Sequence, residues 1–290
     1  MRPSASLALL SVLALGAAFA VPSVASAKPA SLPASGKPFK LGGLTVVSWY
    51  PSTRTAKLPL ILFSHGYGGC GAQSTFLTTA LAGAGYIVVA PNHADASCGP
   101  GDPPAPEIPF EQPAAWNDTT YLARKTDMVG LVAALKADKA WNAAIDWTRV
   151  AGMGHSLGGY TMLGLGGGWP SWDQPVIKAV LALSPYCAPY LDEGALGSIA
   201  APVMYQGGTL DYAVTPTVKR PDGCYARTAA PAYFVEFAGA AHNAWSDLGN
   251  TNNAQIIYYA RNFFDVTLKG ADPSQLLSSI AGVTTYWWKR

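Results

Sequence analysis

The sequence predicts an α/β fold in which a mostly parallel central sheet carries helices on both faces. Three observations point there. Seven short runs are apolar at almost every position, as strands buried on both faces of a parallel sheet are. Between them lie stretches whose apolar residues recur at helical spacing. One run, Val150 to Gly154, leads through Gly154-His155-Ser156-Leu157-Gly158 into a Gly-rich apolar stretch, the pattern of a strand, a very tight turn and a helix with serine at the apex.

In chain order, the first segment is a leader. A single arginine precedes the apolar run Leu7 to Val21, and Ala25-Ser26-Ala27 has the small-x-small pattern of a signal-peptidase site. The apolar run is shorter than the roughly 20 residues of a membrane span, and no cysteine follows the cut to take a lipid. Residues 1–27 are therefore expected to be removed, leaving 28–290 as one secreted or periplasmic domain with no stable membrane anchor. Neither an internal repeat nor a dividing linker interrupts it.

Strands are expected at Leu44 to Trp49, Leu60 to Ser64, Tyr86 to Ala90, Val150 to Gly154, Ala179 to Leu183, Val203 to Gln206 and Tyr233 to Phe237. Met128, Leu131, Val132 and Leu135 mark one helix, and Ile257, Ala260, Phe264 and Leu268 mark another. Gly99 to Pro113 holds six prolines, so it is neither regular helix nor central strand. It reads as an ordered excursion over the carboxyl edge of the sheet, a passive loop or a rim that shapes a cleft. Asn117-Asp118-Thr119 matches a glycosylation sequon.

The tight turn has the form of a nucleophile elbow, with Ser156 as nucleophile. In the fold built on that elbow, an acid and then a histidine follow the serine along the chain. His65, His93 and His155 do not qualify, which leaves His242, just past the apolar run Tyr233 to Phe237. Asp173, Asp192, Glu193, Asp211, Asp222 and Glu236 lie between. Asp211 is favoured because it follows the strand Val203 to Gln206 and the turn Gly207-Gly208-Thr209-Leu210; Asp222, in a Lys-Arg-Pro-Asp-Gly turn, is the reserve. A serine hydroxyl needs a base to take its proton as it attacks, and the base needs a carboxylate to fix its tautomer. Two backbone amides must hold the oxyanion. The amide of Leu157 is the first, and that of Tyr67, in the loop His65-Gly66-Tyr67-Gly68-Gly69 after an early strand, is the second. His65 is expected to brace that loop, and His155 to pack beside the elbow.

The chain of 290 residues has a net charge of +2 and only 12% charged residues, which gives no basic stripe for nucleic acid. His93 and Asp95 share a loop, but four scattered histidines form no recognisable metal-ligand set. The chemistry requires neither metal nor cofactor, and a monomer is expected. Four cysteines in an exported chain can all pair. Because all four follow strand ends on one edge of the sheet, Cys70 is expected to pair with Cys98, and Cys187 with Cys224.

Taken together, the His65-Gly66-Tyr67 loop, the elbow, Leu183-Ser184-Pro185-Tyr186, Asp211 after Gly207-Gly208, and Gly239-Ala240-Ala241-His242 ahead of Asn250-Thr251-Asn252-Asn253 resemble the secreted α/β-hydrolases. These include polyester hydrolases of the cutinase type and dienelactone-hydrolase-like and platelet-activating-factor-acetylhydrolase-like esterases. The resemblance runs over most of residues 28–290 and implies that Tyr67 and Tyr186 flank the ester. The cutinase type commonly carries tryptophan at the position of Tyr186 and methionine at that of Leu157, and lacks the Pro-rich excursion. His65-Gly66 and Pro91-Asn92-His93-Ala94-Asp95 lean toward the acetylhydrolase-like branch. Trp245, three residues past His242, either faces substrate or packs against the last helix. The function expected is a serine esterase for apolar or short-acyl esters, small, lipid-like or polymeric. The alternatives are a peptidase using the same triad and a non-enzymatic binding protein on the same fold.

Overall fold

A computed structural model of the protein describes residues 31–98, 102–193, 195–229 and 231–290. The expected leader lies outside the described residues, as do positions 99–101 of the Pro-rich excursion. The elements are β1 (Pro38–Leu41), β2 (Leu44–Trp49), β3 (Leu58–Ser64), α1 (Thr75–Gly83), β4 (Ile87–Pro91), α2 (Leu122–Ala137), α3 (Lys139–Ala144), β5 (Ile145–His155), α4 (Leu157–Leu163), β6 (Ile177–Leu183), α5 (Pro189–Glu193), β7 (Val203–Gly208), α6 (Thr215–Lys219), α7 (Cys224–Arg227), β8 (Ala232–Phe237), α8 (Asn253–Lys269) and β9 (Val283–Lys289). Short 3₁₀ and π turns join some of them.

The strands form one sheet in the order β1-β2-β4-β3-β5-β6-β7-β8-β9. β4, β3, β5, β6, β7 and β8 run parallel, while β1, β2 and β9 pair antiparallel. This is the α/β-hydrolase arrangement. All seven expected strands are present, β5 starting five residues earlier than expected and β4 one residue later. Edge strands β1 and β9 were not anticipated: β1 opens on proline, and β9 shows solvent several of its side chains, so neither has the doubly apolar run of a central strand.

Alternate residues along each central strand feed two cores, one on each face of the sheet. Leu60 and Leu62 pack with Met128, Leu131 and Leu135 of α2, whereas Ile61 and Phe63 pack with Leu77 of α1 and Phe263 and Phe264 of α8. The two helices read from apolar spacing are thus α2 and α8. Arg124 and Asp127 sit one turn before Met128 and Leu131, so the buried stripe of α2 begins with charge; Arg124 is 1% exposed. The strand order reverses between β3 and β5, where parallel α/β sheets open a crevice beyond their carboxyl ends. The loops leaving β3, β5, β6, β7 and β8 meet there.

Candidate active site

Ser156 stands between β5 and α4 with φ 54 and ψ −117, a strained backbone conformation for a residue with a side chain. Glycine on either side makes the turn possible. A Cβ on Gly158 would lie 1.9 Å from the carbonyl oxygen of Ser64 on β3, and one on Gly154 would lie 2.1 Å from that of Gly158. Packing the elbow this tightly leaves the serine hydroxyl projecting from the sheet edge.

His242, at the turn after β8, brings Nε2 to 2.9 Å from Ser156 Oγ, and its Nδ1 lies 3.1 Å from Asp211 Oδ1. The structure thus brings together the serine, histidine and favoured aspartate, while Asp222 is an exposed turn residue paired with Arg220. Asp211 is buried. Burial alone would raise its carboxyl, but hydrogen bonds from His242, Ser184 and Thr215 outweigh this and hold it below the ordinary aspartate range. Ser184 was missed by the sequence reading as a site residue. Its hydroxyl donates to Asp211 Oδ2 and lies 2.9 Å from His242 Nδ1. The available signal was its place at the end of β6, immediately before Pro185, on the sheet edge that carries the other site residues.

His155 is a connector. Its Nδ1 accepts from Gln73 Nε2 at 2.8 Å and its Nε2 donates to the carbonyl of His242 at 2.9 Å, while Gln73 Oε1 accepts from Gly66 N. Burial, then the neighbouring His242, lowers its pKa to about 3, so the ring stays neutral in this tautomer. One side chain thereby ties the elbow to the histidine loop and, through Gln73, to the loop after β3.

Two hollows flank the Ser156–His242 pair. One, of about 500 Å³, is lined by the Gly66–Cys70 loop, Gln73, Cys98, Asn243, Asp247 and Leu248; the other, of about 520 Å³, is lined by Tyr67, Phe110, Glu111, Tyr186, Ala213 and Val214. Tyr67 and Tyr186 thus both stand beside Ser156. Phe110 was also missed; it comes from the Pro-rich excursion, and its ring meets those of Tyr67 and Tyr186 edge-on at 5.5 and 5.0 Å. The phenol of Tyr67 donates to the carbonyl of Pro104 and that of Tyr186 to the carbonyl of Phe110, so the excursion is strapped across the aromatic wall. Leu157 opens α4, where a first-turn N–H has no intrahelical partner.

Two expectations are corrected. Trp245 does not face the cleft: it is fully buried, donates from Nε1 to Gln206 Oε1 at 2.9 Å and packs near Phe237, because the turn after β8 folds its indole into the core. Cys187 and Cys224 are bridged, but Cys70 and Cys98 stand beside each other as free thiols, with Asn92 Nδ2 donating to Cys98 Sγ. Their strand-end loops do converge, without the bond. Among the described residues no cluster of three or more His, Cys, Asp or Glu could hold a metal ion. No helix among them is long and apolar enough to cross a membrane.

With this geometry in view, comparison with known proteins adds one finding. Residues 45–101 match the family described as platelet-activating factor acetylhydrolase, isoform II. The match runs from β2 through β3, the His65–Gly69 loop, α1 and β4 into the Pro-rich excursion, and stops short of Ser156, Asp211 and His242. That family consists of α/β-hydrolase esterases, with which the sheet agrees, and the match supports a hydrolase of this type. No curated protein matches the chain.

Proposed function

We propose that this chain is a secreted serine carboxylic ester hydrolase that forms an acyl-enzyme on Ser156. The carrying observation is the unbroken line from Ser156 Oγ through His242 to Asp211 at the bottom of an open cleft. In this reading His242 Nε2 takes the hydroxyl proton as Ser156 attacks the ester carbonyl, then returns it to the departing alcohol. Water repeats the sequence to release the acid. Asp211, itself held by Ser184 and Thr215, fixes the tautomer of His242 and stabilises the imidazolium. The amides of Tyr67 and Leu157 receive the oxyanion.

The two hollows suit the two halves of an ester cut at their boundary. Each falls in the size range of small-molecule sites, which favours apolar or short-acyl esters, with the aromatic wall of Tyr67, Phe110 and Tyr186 facing one half. Removal of residues 1–27 and action as a monomer, without metal or cofactor, complete the proposal. A p-nitrophenyl ester should give a burst of p-nitrophenol stoichiometric with enzyme. Ser156→Ala should keep the fold by circular dichroism and lose roughly 10⁴-fold or more in turnover. Retained esterase activity in that variant would end the proposal, and amide substrates cut faster than matched esters would redirect it to peptide hydrolysis.

A further inference from the structure

Behind the cleft lies a second serine, histidine and carboxylate in line. His93 Nε2 is 2.9 Å from Ser64 Oγ and His93 Nδ1 is 2.9 Å from Asp127 Oδ2. Ser64 and His93 are buried, at 0% and 4% exposure, so no ester reaches them. The direction of the protons shows what the line serves. The ionised Asp127 carboxylate can only accept, so His93 Nδ1 carries the proton and its Nε2 accepts from the Ser64 hydroxyl, whose oxygen accepts in turn from Arg124 Nη1 at 3.2 Å. The line ends on Arg124.

Arg124 is clamped by Asp95 through Nε to Oδ1 at 3.0 Å and Nη2 to Oδ2 at 2.6 Å, the two-point geometry a guanidinium offers and an ammonium does not. Its remaining donors go to backbone: Nη1 to the carbonyl of His65 at 2.8 Å and Nη2 to that of Gly66 at 3.4 Å. The Gly66 carbonyl also accepts from His65 Nδ1 at 2.7 Å and from Gly69 N at 3.0 Å, and Asp95 Oδ2 accepts from Gly68 N at 3.4 Å. His65 Nε2 in turn accepts from His93 N at 3.0 Å, which fixes its tautomer.

In a planar trans peptide the N–H points opposite to the preceding C=O. Holding the Gly66 carbonyl toward buried Arg124 therefore turns the Tyr67 N–H outward, to the cleft where Gly66 lies against Ser156; a Cβ on Gly66 would come within 3.5 Å of the Ser156 Cβ. We propose that Arg124, clamped by Asp95 and backed by Ser64, His93 and Asp127, is the positioning residue that aims the Tyr67 amide at the oxyanion. The assignment rests on the reading of Ser156 as nucleophile and Tyr67 as donor. Arg124 itself never touches substrate.

The test compares wild type, Arg124→Lys, and the double variant Arg124→Met/Asp95→Leu. The double variant removes the buried ion pair as a unit, which proteins commonly tolerate, whereas removing one partner strands a buried charge. For a p-nitrophenyl ester both variants should lose about 100-fold in kcat, the usual effect of a lost oxyanion donor, with KM little changed. Inhibition by an alkyl boronic acid, which bonds to the serine oxygen and presents a tetrahedral oxyanion, should weaken in parallel with kcat/KM. Binding of the product alcohol should not change. Wild-type kcat in a cooperatively folded variant overturns the proposal, as does a kcat loss with boronate and alcohol affinities both intact. The Ser156→Ala control separates the two readings: if it is inactive while Arg124→Lys is not, the positioning role alone falls.

Discussion

Three histidines are held neutral inside this fold, and that sets how it responds to acid. Burial lowers the pKa of His65 and His93 well below the ordinary histidine value, with the charge of Arg124 adding to the effect, and burial with His242 lowers that of His155 to about 3. In the unfolded chain each titrates near ~6.5. Below that pH the unfolded state binds protons the folded state refuses, so this stability is complete above pH ~6.5 and drains away as pH falls. Asp127 opposes it: burial raises its carboxyl to about 6, so between about pH 6 and 4 the folded state carries a proton the unfolded state lacks. The net uptake on unfolding in that window approaches two protons. At about 1.4 kcal/mol per proton per pH unit, stability should fall by roughly 3 kcal/mol per pH unit, enough to unfold a domain of ordinary stability near about pH 4 to 5. Asp95 and Asp211, both held below the ordinary range, add their losses only at lower pH. Urea unfolding at half-unit steps from pH 7 to 4.5 measures the slope, and His155→Gln should reduce it by about one proton. Stability independent of pH between 7 and 5, or an unchanged slope in His155→Gln, would refute the neutral-histidine account.

Other outcomes follow from single contacts. Ser184→Ala removes a hydroxyl from both Asp211 and His242; a hydrogen bond to a charged group is worth about 1.5 to 3 kcal/mol, so kcat should drop by roughly tenfold or more while KM holds. Phe110→Ala opens the aromatic wall, and in a chain-length series of esters it should shift preference toward bulkier groups while leaving the rate on acetate esters within about threefold. Gly158→Ala drives a methyl group into the Ser64 carbonyl and should cost more than ~4 kcal/mol, read as a collapse in Tm or in soluble yield. Exposure to oxidised glutathione should close Cys70 to Cys98, and peptide mapping without reduction should find it beside the Cys187–Cys224 bridge; Cys70 joined to Cys187 would contradict the loop geometry.

The central strands were legible because strands buried on both faces are short, mostly apolar runs, here rich in Val, Ile, Leu and Phe and bounded by turn residues. Ser156 and His242 were legible because the elbow imposes glycines and a chain order. The polar, cooperative layer escaped notice, and so did one aromatic ring of the cleft wall. Arg124 and Asp127 in a helix sequence look like a solvated face, and only the positions of Asp95, His65 and Ser64 in space show that they point inward. Phe110 lies in a segment where prolines remove periodicity, so nothing in the sequence says which side chain turns toward Tyr67. The side chain of Trp245 was ambiguous for the opposite reason: proximity in sequence to His242 implies nothing about direction once a 3₁₀ turn intervenes.

The split between legible and illegible parts follows the physics of the site. Each member of the Ser156–His242–Asp211 line is delivered by its own strand end, so chain order and apolar runs are enough to find it. The parts that set its precision lie between strands: Ser184 spans β6 and β7, His155 with Gln73 joins the elbow to the turns after β3 and β8, and Arg124 reaches from α2 to the loop after β3. Ser184, His155 and Arg124 are buried, and Gln73 lines the cleft; for the buried groups an unmade bond is costly, and a completed set admits few alternative arrangements. A substitution in this layer should therefore leave the sheet intact and alter where the reacting groups point. Substitutions that affect kcat without KM are expected to concentrate in it.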